Sequence, residues 1–523
     1  MISSQIIGLL SDLKSSLKTA NITDGSTIGI NEIVKKAGVL YEKVRYAIDY
    51  REEHTIRRTA IERILNRNLF FGRDTDVAEI MLKELIRAGY IENNKVLESK
   101  SLDVQNIINK FLLLKGEVLT PKGYSSVLLR KKIISLAASE IEVLFFNDAV
   151  EEATVNAFYN TIKDKVKISG ITTSEHEKDL AIYIATRRSL LKNDDQTLTY
   201  RLWLKFAPNW EKLTTKEEIT TIARDFLAIE DHIAKHLNNT LTWYLVPKLK
   251  NYGIYFSVIE EIVKRYGAES ERIFSDQELL NKQITEILGA KYKKENSKTR
   301  KSATRAVLYI LLTKTIIGIA IEFPYDKIFL GHIYYNALIV NIIFHPILLF
   351  FMTSFIKPLD KENTKNAIAG ISSIVYGGNT NNLYVKIKKD KGVIYSVFLF
   401  LYAIIFFFSF GFIYFTLAKF NFSIVSIGLF LFFLTLVSYF GLRIRYNAKA
   451  WKIETGEERI LYLLWNFFTL PIIDTGRWLS TKFAAVNVFV WILDFIIETP
   501  FKLVLEITDA FVSFLKEKKE QIR

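Results

Sequence analysis

Along the first three hundred residues apolar positions recur every three or four places, as in DTDVAEIMLKELIRAGYI, VNAFYNTIKDKVKI, KDLAIYIATRRSLL and EEITTIARDFLAIEDHIAKHL. That is the helical period, and strand-type alternation is scarce. Turn-forming clusters at Asn21–Ser26, Gly72–Asp76, Asn93–Asn94, Pro121–Gly123, Ser169–Glu175, Asn193–Gln196 and Gly267–Ser270 divide the stretch into about ten helices. The pattern predicts a helical domain over residues 1–290, with a subdomain split near 120–175. No unit of 20–50 residues repeats, which argues against a solenoid.

From Ala306 onward long apolar runs alternate with short basic ones. A membrane span needs roughly 20 apolar residues, and four segments approach or reach that length: 306–321, 334–356, 393–418 and 422–442. The flanking charge alternates. Lys291, Lys293, Lys294, Lys298, Arg300, Lys301 and Arg305 precede the first span, seven Lys against three acids occupy 357–392, and Arg443, Arg445, Lys449 and Lys452 follow the fourth. The connection EFPYDKIFLGHI and the turn at Lys419 hold one Lys each. Because Lys and Arg stay on the cytoplasmic side, a multi-pass inner-membrane protein with both termini cytoplasmic is expected.

The tail, 443–523, poses a separate question. VFVWILDFIIETPFKLVLEI (Val488–Ile507) is apolar but interrupted by Asp494, Glu498, Lys502 and Glu506. A carboxylate near mid-membrane costs about 3 kcal/mol. At about 100° per residue, these residues and Asp509 form one polar stripe. The segment therefore reads as an amphipathic helix in the membrane interface or along other membrane helices, as does ILYLLWNFFTLPIIDTGRW before it. The expected fold is all-α: a cytoplasmic helical domain, a basic juxtamembrane segment (291–305), a four-helix membrane region and C-terminal amphipathic helices.

Composition sharpens this picture in two places. With no cysteine, disulfides, thiolate catalysis and zinc–cysteine sites are excluded. A net charge of +14 is accounted for by apposition to a membrane, where each basic residue near anionic headgroups contributes about 1 kcal/mol; the case for nucleic acid is weakened accordingly. The N-terminal MISSQIIGLLSDLKSSLKT lacks a basic leader region and reads as an amphipathic helix rather than a signal peptide.

Two resemblances bear on identity. INEIVKKAGVLYEKVRYAID (Ile30–Asp49) resembles the helix-turn-helix of LacI-type repressors through Ala37, Gly38, Val39, Tyr41 and Val44. It departs from that motif at Val34 and Leu40. The resemblance would place Tyr41, Glu42, Lys43 and Arg45 on a DNA-facing helix; the competing reading is two packed helices. Over nearly its full length, the chain also resembles a family of multi-span membrane proteins of the bacterial candidate-phyla group. That rests on YEKVRYAIDYREEHTIRRTAIERIL, EFPYDK and LPIIDTGRWLS…DFIIETPFK. It implies an architecture and no activity.

Candidate chemistry is sparse. His232 and His236 at i,i+4 can supply two metal ligands, but the HExxH base is missing and no third ligand is visible, so they read as surface residues. IVYGGNTNNLYV (Ile374–Val385) lacks phosphate-loop chemistry and reads as a turn between short strands. No cofactor and no catalytic motif is called. Within the apolar runs, Lys314, Asn341 and His345 stand out, because intramembrane ionisable groups point to function. One reading is a proton or ion step between Lys314 and His345. The other is hydrogen bonding between helices by Asn341 and His345, with Lys314 snorkelling. The leading expectation is a non-enzymatic scaffold, receptor or regulatory platform, with anionic lipid and an unidentified protein, or a second copy, as partners. A transporter or channel subunit and a membrane-bound DNA-binding regulator are the alternatives.

Overall fold

The computed structural model describes residues 2–18, 26–48, 53–70, 77–146, 148–356, 358–378, 382–387, 392–453 and 460–485, with isolated positions between 504 and 518. Among these the fold is all-α, apart from one two-stranded parallel sheet. The helices are α1 (Ser4–Lys18), α2 (Glu32–Ile48), α3 (Glu53–Phe70), α4 (Val77–Arg87), α5 (Ser99–Glu117), α6 (Ser126–Phe146) and α7 (Ala149–Ile162). Strand β1 (Val166–Ser169) leads into α8 (Glu175–Leu190), α9 (Asp195–Phe206), α10 (Lys216–Leu237), α11 (Thr240–Tyr266), α12 (Ser270–Ser275) and α13 (Gln277–Ile317). Then come α14 (Phe323–Tyr325), α15 (Tyr335–Ser354), α16 (Lys361–Val375), β2 (Leu383–Lys386), α17 (Val393–Lys419), α18 (Ile424–Ala448) and α19 (Ile460–Ala485).

Side-chain caps start the helices, inside a turn cluster at Ser174 and outside the clusters at Asp148, Thr215 and Asp276. Ser174 with Glu177, and Thr215 with Glu218, form reciprocal capping boxes at α8 and α10. The Asp148 and Asp276 carboxylates accept from the first backbone N–H groups of α7 and α13. The apolar faces then bury in two cores. One gathers α3–α6, α9 and α10 around Trp203, Trp210 and Phe226; the other gathers α1, α7, α11 and the start of α13 around Phe158, Phe256 and Phe274. α8 contributes Leu180 and Ile184 to the first core and Ala181, Ile182 and Ala185 to the second. The chain passes from one core to the other between α6 and α7, and α9 and α10 return to the first.

The second core draws in distant segments. α16 supplies Ala367, Ile371, Ile374 and Val375, the segment after it Val385 and Ile387, and the chain beyond α18 Ile453. β2 pairs with β1 in parallel register, Val166 opposite Leu383. The double-glycine stretch before it is therefore strand only in its second half, because Ile374 and Val375 complete α16 and Gly377 (φ +69°) closes it. Asn363 is a staple: its amide donates to the Trp451 carbonyl at 2.9 Å and to the Tyr292 hydroxyl at 2.6 Å, while its side-chain oxygen accepts from Ile453 N–H at 2.8 Å.

Four helices are long and apolar enough to cross a membrane: Gln277–Leu330, Tyr335–Ser354, Tyr395–Lys419 and Ile424–Ala448. The first differs from expectation at both ends. The basic segment 291–305 is no separate linker, since α13 runs through it unbroken. The EFPYDKIFLGHI connection is helical as far as Leu330, through a π turn (Gly318–Glu322), α14 and a second π turn (Asp326–Leu330), and stops at Gly331 with φ +73°. α13, α15 and α18 pack together, α19 lies against α18 and α17, and α17 exposes Phe398, Phe400, Phe407, Phe408, Phe412 and Phe415. Gly476 brings α19 against α18 so closely that an added Cβ would lie 2.0 Å from the Thr435 carbonyl oxygen, the small-residue contact typical of membrane helices.

Gly170 tests the junction between the distant segments. Its φ is +94°, and a Cβ there would lie 2.0 Å from the Ile387 carbonyl oxygen; Gly123 has φ +89° with open space around it. Alanine at either site strains the backbone by about 1–3 kcal/mol. Gly170→Ala should lower the midpoint of thermal unfolding in detergent clearly further than Gly123→Ala, because only Gly170 must also separate β1 from the Ile387 backbone. Equal shifts would show that this contact contributes nothing.

Candidate functional site

α13, α15 and α18 enclose a polar centre. Lys314, Glu322, Asp326, Asn341, His345 and Ser426 are each at most 2% exposed. Asn341 organises it from the middle of α15. Its side-chain oxygen accepts from the Lys314 ammonium, and its amide donates to Glu322 at 2.9 Å and to the Ser426 carbonyl at 3.2 Å. Those partners fix which way the amide points, since only its nitrogen can donate. The Ser426 hydroxyl donates to the other oxygen of Glu322 and in turn lies 2.9 Å from the Ser423 hydroxyl. The Lys314 ammonium also stands 4.4 Å from the centre of the Phe433 ring, a cation–π contact.

Pro324 explains how Glu322 and Asp326 reach the centre. Proline lacks the N–H that an α-helix needs and crowds the preceding turn. Here the helix absorbs it by widening into π turns on either side, a device associated with functional positions.

Of the residues expected here, Lys314, Asn341 and His345 are brought together, although Lys314 and His345 are linked through Asn341 and not directly. Lys314 does not snorkel. Its amine points inward because Asn341 and Phe433 offer partners at that depth. Glu322, Asp326 and Ser426 were not anticipated. The clue was the acid pair at i,i+4 in EFPYD directly after an apolar run, a stretch that reads in sequence as a connection between spans.

His345 and Asp326 decide what the centre can do chemically. Both ring nitrogens of His345 face backbone carbonyl oxygens, Nδ1 that of Asn341 at 3.1 Å and Nε2 that of Phe430 at 3.0 Å. Only the imidazolium donates from both. Among the described residues, Asp326 Oδ1 is buried with no hydrogen-bond partner. Lys314 and His345 thus share one buried centre with two carboxyl groups, Glu322 and Asp326, the set of groups that a proton step would use.

α2 runs unbroken through Ala37–Gly38–Val39, where the helix-turn-helix resemblance requires a turn. Gly38 instead meets the Arg87 carbonyl, and Glu42, 2% exposed, binds Arg63 and the Tyr90 hydroxyl. That face is occupied by protein. Lys293, Lys294, Lys298, Arg300, Lys301 and Arg305 are exposed on α13, whereas Lys291 pairs with Glu261 at 3.1 Å. His232 and His236 face each other, Nε2 to Nε2, at 3.1 Å; burial, then His232 and His176, lower the pKa of His236. Asp494, Glu498, Lys502, Glu506 and Asp509 lie outside the described residues. Elsewhere, the buried ion pair Lys110–Glu140 at 2.6 Å is satisfied by Trp210 from both sides, and burial raises the Glu140 pKa.

No protein-family model, curated protein or solved structure matches this chain.

Removing one partner of a buried charge costs about 3–5 kcal/mol, whereas replacing the whole group by apolar residues is often neutral. Asn341→Leu should therefore destabilise the protein by about that much in detergent unfolding. Ser426→Ala removes one hydrogen bond to a charged group and should cost about 1.5–3 kcal/mol. The triple variant Lys314→Met/Glu322→Leu/Asn341→Leu should recover most of the loss; a triple variant no more stable than Asn341→Leu alone would refute the pairing.

Proposed function

We propose that this is an integral membrane regulatory platform or receptor of the bacterial inner membrane, in which the polar centre sets the position of α13 and so acts on the large helical body. One observation carries the reading. The helix that bears Lys314, Glu322 and Asp326 runs continuously back to Gln277, where Leu280, Ile284, Ile287 and Leu288 sit in the second core. A shift in hydrogen bonding at one end is passed along a stiff rod, not a flexible linker.

Multi-pass topology has its own support. The N-terminal body, the 361–387 segment and Ile453 share one core, so they lie on one side of any bilayer the four helices cross. The chain must then leave and return twice, which agrees with the Lys/Arg alternation and a cytoplasmic body. The exposed bases of α13 would meet anionic headgroups, and the phenylalanines of α17 acyl chains. A second reading, passage of protons or ions, is favoured by Asp326, whose Oδ1 is buried with no hydrogen-bond partner among the described residues. The DNA-binding reading loses support from the unbroken α2.

Topology can be read with single cysteines in this cysteine-free chain. His332→Cys should label with an impermeant maleimide applied to the outer face, and Glu362→Cys only after the cytoplasmic face is opened; the reverse pattern sinks the topology. For coupling, hydrogen exchange over 277–292 should speed up by roughly 5–150-fold in Lys314→Met. Unchanged exchange there would reject the platform reading. Proton flux in proteoliposomes that Asp326→Asn abolishes would favour the second reading instead.

A further inference from the structure

Where the C-terminal ends of α15 and α18 meet the first turn of α16, they enclose a cavity of about 310 Å³. That is roughly twice the volume that holds benzene in a protein interior. Phe355, Ile356 and Leu359 give it an apolar wall, and Arg445, Lys449 and Lys452 bring three cations to it. The enclosure is fixed by Asn363, which also lines it and ties α16 to the Trp451 carbonyl and the Ile453 N–H. The charges do not cancel. Asp360 and Glu362 line the cavity as well, but they are two against three, and Asp360 is engaged in capping α16 through the Asn363 N–H. Among the described residues neither Lys449 nor Lys452 pairs with a carboxylate. Lys250 of α11 approaches the same end of α18, its ammonium 5.8 Å from the centre of the Tyr446 ring. Arg445 and Lys449 are half-buried on successive turns, so part of their hydration is already given up. Burial, then Arg445, Lys452 and Lys250, push the Lys449 pKa down, as expected for a cation held among like charges.

We infer that this cavity binds a phosphate-bearing anion, with Arg445, Lys449 and Lys452 on the phosphate oxygens. An arginine fork can engage two phosphate oxygens at once, and lysine adds a compact charge. An anion there offsets the surplus of positive charge that the fold has gathered. The source of the phosphate follows from the membrane reading above, on which this part of the inference rests. If the four long helices span a bilayer, the cavity lies at headgroup depth on the cytoplasmic side. Basic pockets between membrane helices on that side take anionic lipid headgroups, and Phe355 and Ile356 would then lie along the glycerol and the first acyl carbons. A soluble phosphate ester shares the chemistry but leaves the apolar wall unused.

The experiment is calorimetric titration of the full-length protein in a nonionic detergent with dihexanoyl phosphatidylglycerol, dihexanoyl phosphatidylcholine and glycerol phosphate. Phosphatidylglycerol should bind saturably, one molecule per chain, and the zwitterionic phosphatidylcholine clearly more weakly. Glycerol phosphate binding as tightly as the lipid identifies a soluble phosphate as the source; binding of the lipid alone identifies a headgroup. Lys449→Gln should weaken binding roughly fivefold, Arg445→Gln/Lys449→Gln should weaken it further, and Lys449→Arg should retain it. Arg443→Gln, exposed at the same end of α18 but outside the cavity wall, should leave it unchanged. Circular dichroism checks the fold, and the exposed Lys452→Gln, which should also weaken binding, keeps the test decisive if Lys449→Gln disturbs it. The inference is overturned if neither anionic probe binds saturably, if phosphatidylcholine binds as tightly as phosphatidylglycerol, if binding survives Arg445→Gln/Lys449→Gln, or if Arg443→Gln costs as much as Lys449→Gln. Because binding is read in detergent, a failed topology leaves a positive result for the phosphate site standing.

Discussion

The Lys314 ammonium is surrounded by helices made almost wholly of apolar residues, and the arrangement of those helices follows from what that charge requires. An unpaired buried ammonium would lose its proton or drag its helix toward water. It stays because Asn341 and Phe433 meet it at the same depth, and Asn341 can serve it only because Glu322 and the Ser426 carbonyl take up the amide protons. One side-chain amide thus fixes α15 against both α13 and α18. In apolar surroundings, where packing alone discriminates weakly between helix registers, such a bond set specifies the register.

The helical body imposes the complementary constraint. Asn363 binds Tyr292 of α13 and the Trp451 and Ile453 backbone beyond α18. The polar centre and this staple hold the same two helices at points well separated along α13. Between them the helix carries its exposed bases and makes few buried contacts, so it cannot rotate at one end without straining the bonds at the other. That geometry favours the platform reading over a passive anchor, because an anchor would need neither a continuous rod nor a fixed rotational setting.

Much of this was legible in sequence. Helical periodicity predicts the all-α fold, and apolar length finds the four long helices within a few residues of three of them. Lys314, Asn341 and His345 stand out because polar groups are rare in such runs. Other features were hidden for definite reasons. The helix-turn-helix resemblance failed because Gly38, which can mark a turn, here permits close approach of a helix to the Arg87 carbonyl. Periodicity also cannot tell that residues 361–387 return to the N-terminal core, since it marks which positions are apolar and not which core they join.

Glu322 and Asp326 were missed for a reason that bears on the site itself. On a regular α-helix, at 100° per residue, Glu322 would lie about 80° and Asp326 about 120° around the axis from Lys314. Those angles put both acids off the face of Lys314, and the apolar run read from the sequence ends at Ile321, before either of them. A π turn advances by roughly 80° per residue. The turn at Gly318–Glu322 therefore swings Glu322 almost into line with Lys314 and brings Asp326 to within about 40°. Gly318, against which Leu338 and Ile342 pack closely, leaves room for the wider turn beside α15. The poorer hydrogen bonding of the π turns is accepted in a helix that must present one cation and two carboxylates on a single face. Straightening it would turn Glu322 away from Asn341 and Ser426, which now bind it. The irregularity that makes EFPYDK look like a loop is the one that assembles the charged centre.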